Sequence, residues 1–213
     1  WWLFDAPATP DTNAAFHWTT TLLSRYGIVS REMALAESYP GGFQHIYKVL
    51  KTMEEAGRVR RGYFIEGLSG AQFALPGAVD VLREERSNEM VRIIPTLDPA
   101  NPYGTLATWP TPRNHEGTKP RRGAGNWVIL WGSVPLAWFS AGKRSLVRFQ
   151  EVVESEVDWV EVFQALAKLR RPHRHRVMHV EFVDDTPAKS SDLSDAMREA
   201  GYQSDHRGIV VNR

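Results

Sequence analysis

Lys48, Lys51, Arg58, Arg60 and Arg61 place five positive charges within fourteen residues, against only Glu54 and Glu55. Cations at that density neutralise phosphate oxygens and release counterions, the sequence-independent part of nucleic-acid binding. Gln44 and His45 sit about one helical turn before Lys48, and their side chains carry the donors and acceptors that reach base edges. Gln44, Lys48 and Lys51 recur at helical spacing and fall off the apolar face of the same segment. The candidate nucleic-acid-binding set is therefore Gln44, His45, Lys48, Lys51, Arg58, Arg60 and Arg61. Against it stand two plainer readings of the same stripe: a solvated helix face, or a contact with protein.

Other clusters promise less chemistry. Arg113, Lys119, Arg121 and Arg122 lie near Trp109, a combination that can hold single strands by charge and stacking; the expectation here is a disordered, solvated loop. Lys168, Arg170, Arg171, Arg174 and Arg176 close a helical segment, where cations offset the helix dipole, and Glu151, Glu154, Glu156, Asp158 and Glu161 precede it. His173, His175 and His179 lack thiolate help for a tetrahedral zinc site, and no metal is expected. Trp127, Trp131 and Trp138, among eight tryptophans, read as the core of a small β-module. Ala137…Gly142-Lys143-Arg144 misses a phosphate loop at its first glycine and at its hydroxyl residue. Gly67-Leu68-Ser69-Gly70-Ala71 misses a nucleophile elbow by one place. No carboxylate spacing singles out an acid–base pair, and no catalytic residue is assigned.

The elements that must position the basic set read as three helices and a ribbon. Asp11 or Thr12 caps a first helix carrying Phe16, Thr20, Leu23 and Tyr26 on one side and stopping at Gly27. Ser30 caps a second, Arg31 to Ser38, terminated by Pro40. The third spans Phe43 to Ala56. Its Phe43, Ile46, Tyr47, Leu50 and Met53 share one face, and Gly57 ends it. Arg58 to Arg61 and Tyr63 to Ile65 pair as a hairpin turning at Gly62; Gln72 to Pro76 closes the sheet, and Ala78 to Glu85 covers it. Helices followed by a β-ribbon are the winged form of helix-turn-helix. That reading requires Phe43, Ile46 and Leu50 inside and a turn at Gly62.

Composition changes near residue 88. Val91 to Leu97 is a strand candidate, 98–125 a long loop, and Trp127–Trp131, Pro135–Phe139 and Ser145–Phe149 are closely spaced strands that suggest a meander or barrel. A helix over Trp159 to Leu169, a strand over Val177 to Val183, a helix capped by Ser191 and ending at Gly201, and a strand over Gly208 to Val211 follow. The fold class is α+β: a winged-helix domain with an N-terminal arm over 1–88, then a β-barrel-like α+β module over 89–213.

The totals set bounds. A chain of 213 residues, 42% hydrophobic and 24% charged, suits one large or two small domains. A net charge of +1 announces no nucleic-acid binder, so the case rests on local clustering. Zero cysteines exclude disulfides and a thiol nucleophile and fit a reducing, cytoplasmic setting. No apolar run approaches a membrane span. The opening Trp-Trp-Leu-Phe, without methionine, reads as the interior of a longer protein.

Gly41-Gly-Phe…Tyr47-Lys-Val-Leu-Lys…Glu55-Ala-Gly-Arg…Arg61-Gly-Tyr-Phe-Ile-Glu-Gly-Leu, then Ala71-Gln-Phe-Ala-Leu-Pro-Gly-Ala-Val-Asp, Asp98-Pro-Ala-Asn-Pro-Tyr-Gly104 and the closing Ser190…Ala200-Gly-Tyr…Arg207-Gly208 resemble, in order, the C-terminal region of the large helicase-related (Lhr) family, in its long bacterial form. The resemblance implies a superfamily 2, ATP-dependent 3′-to-5′ DNA helicase involved in DNA repair. Its ATP and Mg²⁺ would bind an N-terminal core not represented here, and no cofactor is expected in this chain. It implies tandem winged helices and a β-barrel that drive tetramer assembly, with DNA, sister domains and other copies of the chain as partners. The tail is also similar to bacterial DNA glycosylases that open interstrand crosslinks, and uracil excision is associated with the family's C-terminal region. The Gln-x-Asp motif of those glycosylases is matched in letters by Gln203-Ser204-Asp205. The alternative function is thus a glycosylase-like enzyme acting on uracil or crosslinked bases.

Overall fold

The computed structural model describes residues 11–39, 41–84, 90–150, 157–169, 178–204 and 209–211. The chain divides into two compact units, Trp1–Arg86 with Thr105–Ala107, and Ser87–Gly104 with Thr108–Arg213.

The first unit opens on helix α1 (Thr12–Tyr26), where Asp11 Oδ1 accepts from the Ala14 N–H at 2.6 Å and Gly27 stops the helix. Its buried residues are Ala15, Thr19, Leu22 and Leu23. The inward face is turned from the expected one: Leu23 is inside, but Phe16 is 39% exposed. Small side chains explain the rotation. Ala15 and Thr19, whose hydroxyl folds back onto the Ala15 carbonyl at 2.7 Å, let α1 approach its neighbours more closely than a phenylalanine would.

Strand β1 (Ile28–Val29) leads to α2 (Arg31–Ala36), capped by Ser30 Oγ at the Met33 N–H. The expected terminator, Pro40, lies outside the described residues. Helix α3 (Gly42–Glu55) buries Ile46, Leu50 and Met53, and Phe43 and Tyr47 pack against the same cluster, as the periodicity requires. Burying Ile46 and Leu50 completely contributes about 1.5–3 kcal/mol apiece. A sheet of order β1-β3-β2 follows, with β2 at Arg60–Gly62 and β3 at Gln72–Ala74, and α4 (Pro76–Arg83) comes after it.

The turn at Gly62 required above is absent, and the ribbon of the winged form is made by β2 and β3 instead. Gly62 pairs with Gln72 inside the ladder, and the chain reverses across Tyr63–Ala71, where Gly67 and Gly70 take positive φ. A strand chooses its partner by what it buries. Phe73 is fully buried, so β3 captures β2 in place of the segment Tyr63 to Ile65.

The second unit centres on a six-stranded sheet of order β10-β9-β7-β6-β5-β4. Its strands are β4 (Val91–Pro95), β5 (Asn126–Trp131), β6 (Val134–Ser140), β7 (Ser145–Arg148), β9 (Phe182–Val183) and β10 (Thr186–Pro187). β4 to β7 form the expected meander. The order has two ends, and among the described residues no ladder joins them into a barrel. β9 runs parallel to β7, and the other pairs are antiparallel. On one face Ile129, Phe139 and Leu146 join Val162, Phe163 and Leu166 of α5 (Trp159–Ala167) in a single core.

On the other face Val128, Trp138 and Val147 are buried as well, and their cover is the long loop. The Trp138 indole donates to the Arg121 carbonyl at 3.1 Å. Thr96 and Gly123 exchange hydrogen bonds, and Trp109 stacks on Tyr103. The expectation of a disordered loop over 98–125 is corrected: two buried sheet faces need two covers, and this loop is one of them.

The expected strand over Val177 to Val183 is two strands in two sheets. β8 (Met178–Val180) joins β12 (Ile209–Val211) and β11 (Gln203–Ser204), whereas β9 joins the large sheet. The chain changes sheets at Glu181, whose N–H donates to the Arg144 carbonyl at 2.8 Å. Ser191 does not cap the last helix, α6 (Ser194–Glu199); its hydroxyl donates to the Ala188 carbonyl.

Candidate nucleic-acid interface

All seven candidate residues are exposed, but the structure does not gather them on one surface. Helix α3 advances about 100° per residue. Gln44, Lys48, Lys51 and Glu55 therefore form a stripe opposite buried Ile46 and Leu50. His45 stands about 100° from Gln44, and its Nδ1 is hydrogen-bonded to the Gly41 carbonyl at the start of the helix. Lys51 lies 4.0 Å from Glu55.

Along β2 successive side chains alternate between faces. Arg61, opposite Phe73 in the ladder, turns toward α3 and meets Glu54 at 3.2 Å. Arg60, opposite Ala74, lies on the other face. Arg58 is brought near Lys48 instead. The two help to line a groove of about 350 Å³, together with Thr12, Phe16, Val49, Thr52, Met53 and Ala56. Among the described residues the side chains of Lys48, Arg58 and Arg60 have no ion-pair or hydrogen-bond partner. The arrangement offers a short cationic helix stripe, an apolar groove lined in part by Lys48 and Arg58, and one wing arginine steered by a carboxylate.

Two features of this region have no signature in the sequence. Phe16 lines the groove because α1 presents it outward, about one residue's turn from the expected face. The wing is held by Gln72, a fully buried side chain in β3. Gln72 Oε1 accepts from the Phe64 and Ile65 N–H groups at 2.9 and 2.8 Å, and Nε2 donates to the Ile65 carbonyl at 2.9 Å. The Ser69 hydroxyl ties the far side of the turn to Glu32 of α2 at 2.6 Å.

In the second unit several of the described basic side chains serve the fold. Arg122 donates to the Asn101 and Tyr103 carbonyls at 2.9 and 3.2 Å. Arg144 pairs with Glu181. Arg148, 6% exposed, meets Asp184 through Nε at 2.7 Å and Asp192 through both terminal nitrogens at 2.8 and 2.9 Å. Its hydrogen bonds hold the Asp192 carboxyl below the usual carboxylate range, against the opposing effect of partial burial. Asp185 accepts from the Thr118 N–H and hydroxyl at 2.8 and 2.7 Å. The stretch Ala137–Arg144 is part of the β6–β7 hairpin with no helix after it, and Arg144 is engaged by Glu181, so these residues do not fit a nucleotide phosphate.

Gln203 is exposed in β11. Asp205, His173, His175, Glu151, Glu154, Glu156, and the arginines at 170, 171, 174 and 176 lie outside the described residues. Among the described residues no group of three or more His, Cys, Asp or Glu converges as a metal site, and no helix is long and apolar enough to cross a membrane.

Residues 8–92 match the winged-helix domain of the large helicase-related protein. Over 98% of its length the chain is 36% identical to the Lhr helicase/uracil glycosylase of Escherichia coli strain K12. Over 95% of its length it is 36% identical to the Lhr helicase/probable uracil glycosylase of Mycolicibacterium smegmatis. The chain spans 14% of the length of each of these relatives.

Proposed function

We propose, on the premise that the chain belongs to the Lhr family, that it is an accessory module from the C-terminal region of a DNA helicase and that it contacts the phosphate backbone through α3. The observation that carries this is the exposed Gln44–Lys48–Lys51 stripe opposite the buried Ile46, Leu50 and Met53. It is the geometry in which a helix can meet a polyanion without disturbing its own core. ATP hydrolysis belongs to a core outside this segment. The wider reading includes DNA repair in the cytoplasm, closure of the open sheet into a barrel, and docking to sister domains within a tetramer.

Lys48→Ala/Lys51→Ala tests the contact. Duplex affinity should fall uniformly across sequences, and the slope of log K against log salt should lose about 0.9 for each phosphate contact removed. Unchanged affinity and slope would remove α3 from the DNA surface. Light scattering tests assembly, and a strict monomer would place the tetramer contacts in other parts of the protein.

A second reading draws on the names of both relatives: a glycosylase acting on uracil or crosslinked bases, with Asp205 stabilising positive charge on the sugar or activating water. Alkali-labile nicks in uracil-containing or crosslinked duplex, abolished by Asp205→Asn, would support it. Absence of product would leave the binding module.

A further inference from the structure

The wing carries a side chain that the phosphate contacts do not use. Tyr63 is 85% exposed, the most exposed of the large hydrophobic residues described. The backbone on both sides of it is nevertheless held. Before it, Gly62 is the last residue of β2 in register with Gln72. After it, the Phe64 and Ile65 N–H groups both donate to the buried Gln72 amide. The Phe64 ring packs against the cluster of Ile28, Ala74 and Val79 and reaches within 2.9 Å of where a Cβ on residue 62 would stand. Position 62 therefore accepts only glycine without a shift. With Phe64 drawn inward on that glycine, Tyr63 is turned out. No ring contact or hydrogen bond engages the Tyr63 side chain among the described residues.

We infer that Tyr63 is a stacking platform for one unpaired nucleobase, with a neighbouring phosphate drawn to Arg60. This rests on the reading of the region as a DNA-binding surface and extends it to a strand state. A ring held out on a fixed backbone loses little entropy when a base lies on it. Arg60, exposed on the same ribbon and without a partner among the described residues, favours a polyanion over an apolar partner. Within a duplex both faces of a base are covered by its neighbours, so the ring selects single strands, ends or flipped bases.

The test compares wild-type chain with Tyr63→Ala, Tyr63→Leu and Tyr63→Trp on a single-stranded oligonucleotide and on a covalently closed, relaxed circular duplex, which has neither loop nor end. Tyr63→Ala and Tyr63→Leu should each weaken single-strand binding by about 5- to 150-fold, the range of one base–aromatic stack, and leave binding to the circle unchanged; Tyr63→Trp should retain single-strand binding. An oligonucleotide carrying 2-aminopurine should lose fluorescence on wild type and recover it with Tyr63→Ala. Retention of single-strand affinity by Tyr63→Leu, or equal losses on both substrates, would overturn the proposal. So would a loss of self-association with DNA binding intact, which would make the ring a protein contact. Wild type that binds neither substrate defeats the DNA-binding reading and this one together. Salt-dependent binding that responds to Lys48→Ala/Lys51→Ala but not to Tyr63→Ala defeats this one alone.

Discussion

The wing arginines and Arg148 are the same residue type in opposite circumstances. Arg60 and Arg61 stand in solvent on a short ribbon, one without a partner among the described residues and one against a half-exposed glutamate. Arg148 lies inside the second unit, between two aspartates and with its guanidinium 5.9 Å from the Trp159 ring centre. A guanidinium in water keeps its charge available to a ligand. A guanidinium without water must be neutralised by the fold itself. Density of basic residues along a chain does not separate the two cases; burial does.

Breaking the buried case should have the largest effect. Arg148→Met leaves the Asp184 and Asp192 carboxylates without their cation, and a loss of about 3–5 kcal/mol is expected, read by denaturant unfolding followed through tryptophan fluorescence. A loss under about 1 kcal/mol would mean the cluster is more hydrated than its geometry implies. Next comes Gln72→Leu, which strands two N–H groups and a carbonyl in the wing. It should cost about 1–3 kcal/mol, with faster amide exchange at Phe64 and Ile65; unchanged exchange there would show that the amide does not hold the wing. Arg61→Ala should be smallest, within about 1 kcal/mol, because its pair with Glu54 is exposed. A thermal melt that shifts as far as that of Arg148→Met would erase the contrast between the two regions.

Acid sharpens the same contrast. The Asp192 pKa is depressed in the fold by Arg148. Its contribution is therefore fully present above the ordinary aspartate pKa of about 3.9 and is lost as pH falls through the lower folded value. Wild type should lose stability over that acidic window, and Arg148→Met should lose less of it. Parallel pH profiles for the two proteins would detach Asp192 from Arg148.

Much of the first unit was legible because its signals are local. The Ser30 cap, the α3 face of Ile46, Leu50 and Met53, and the stop after α3 each depend on residues within a turn or two. The face of α1 was read one step off, since Phe16 is the stronger hydrophobe while Ala15 and Thr19 win by being small enough to pack closely. The ribbon was located, but its partner was misjudged: proximity favoured Tyr63 to Ile65, and the buried Phe73 favoured β3. The basic residues were legible as charges. Their division between stripe, groove and two faces of a ribbon was not, because helix phase and ladder register become visible only once the partners are known.

What the sequence determined by itself is the inventory and the local grammar: which segments become helices, where α1 to α3 begin and stop, and that cations crowd one of them. Tertiary structure decided which side of each element is inside, that a long polar loop covers half a sheet, that the chain changes sheets at Glu181, and which arginines remain available to a ligand. The physical reason is range. Capping and helical period act over a few residues, whereas burial and strand pairing join residues such as Arg148 and Asp184 whose separation along the chain carries no mark of their meeting.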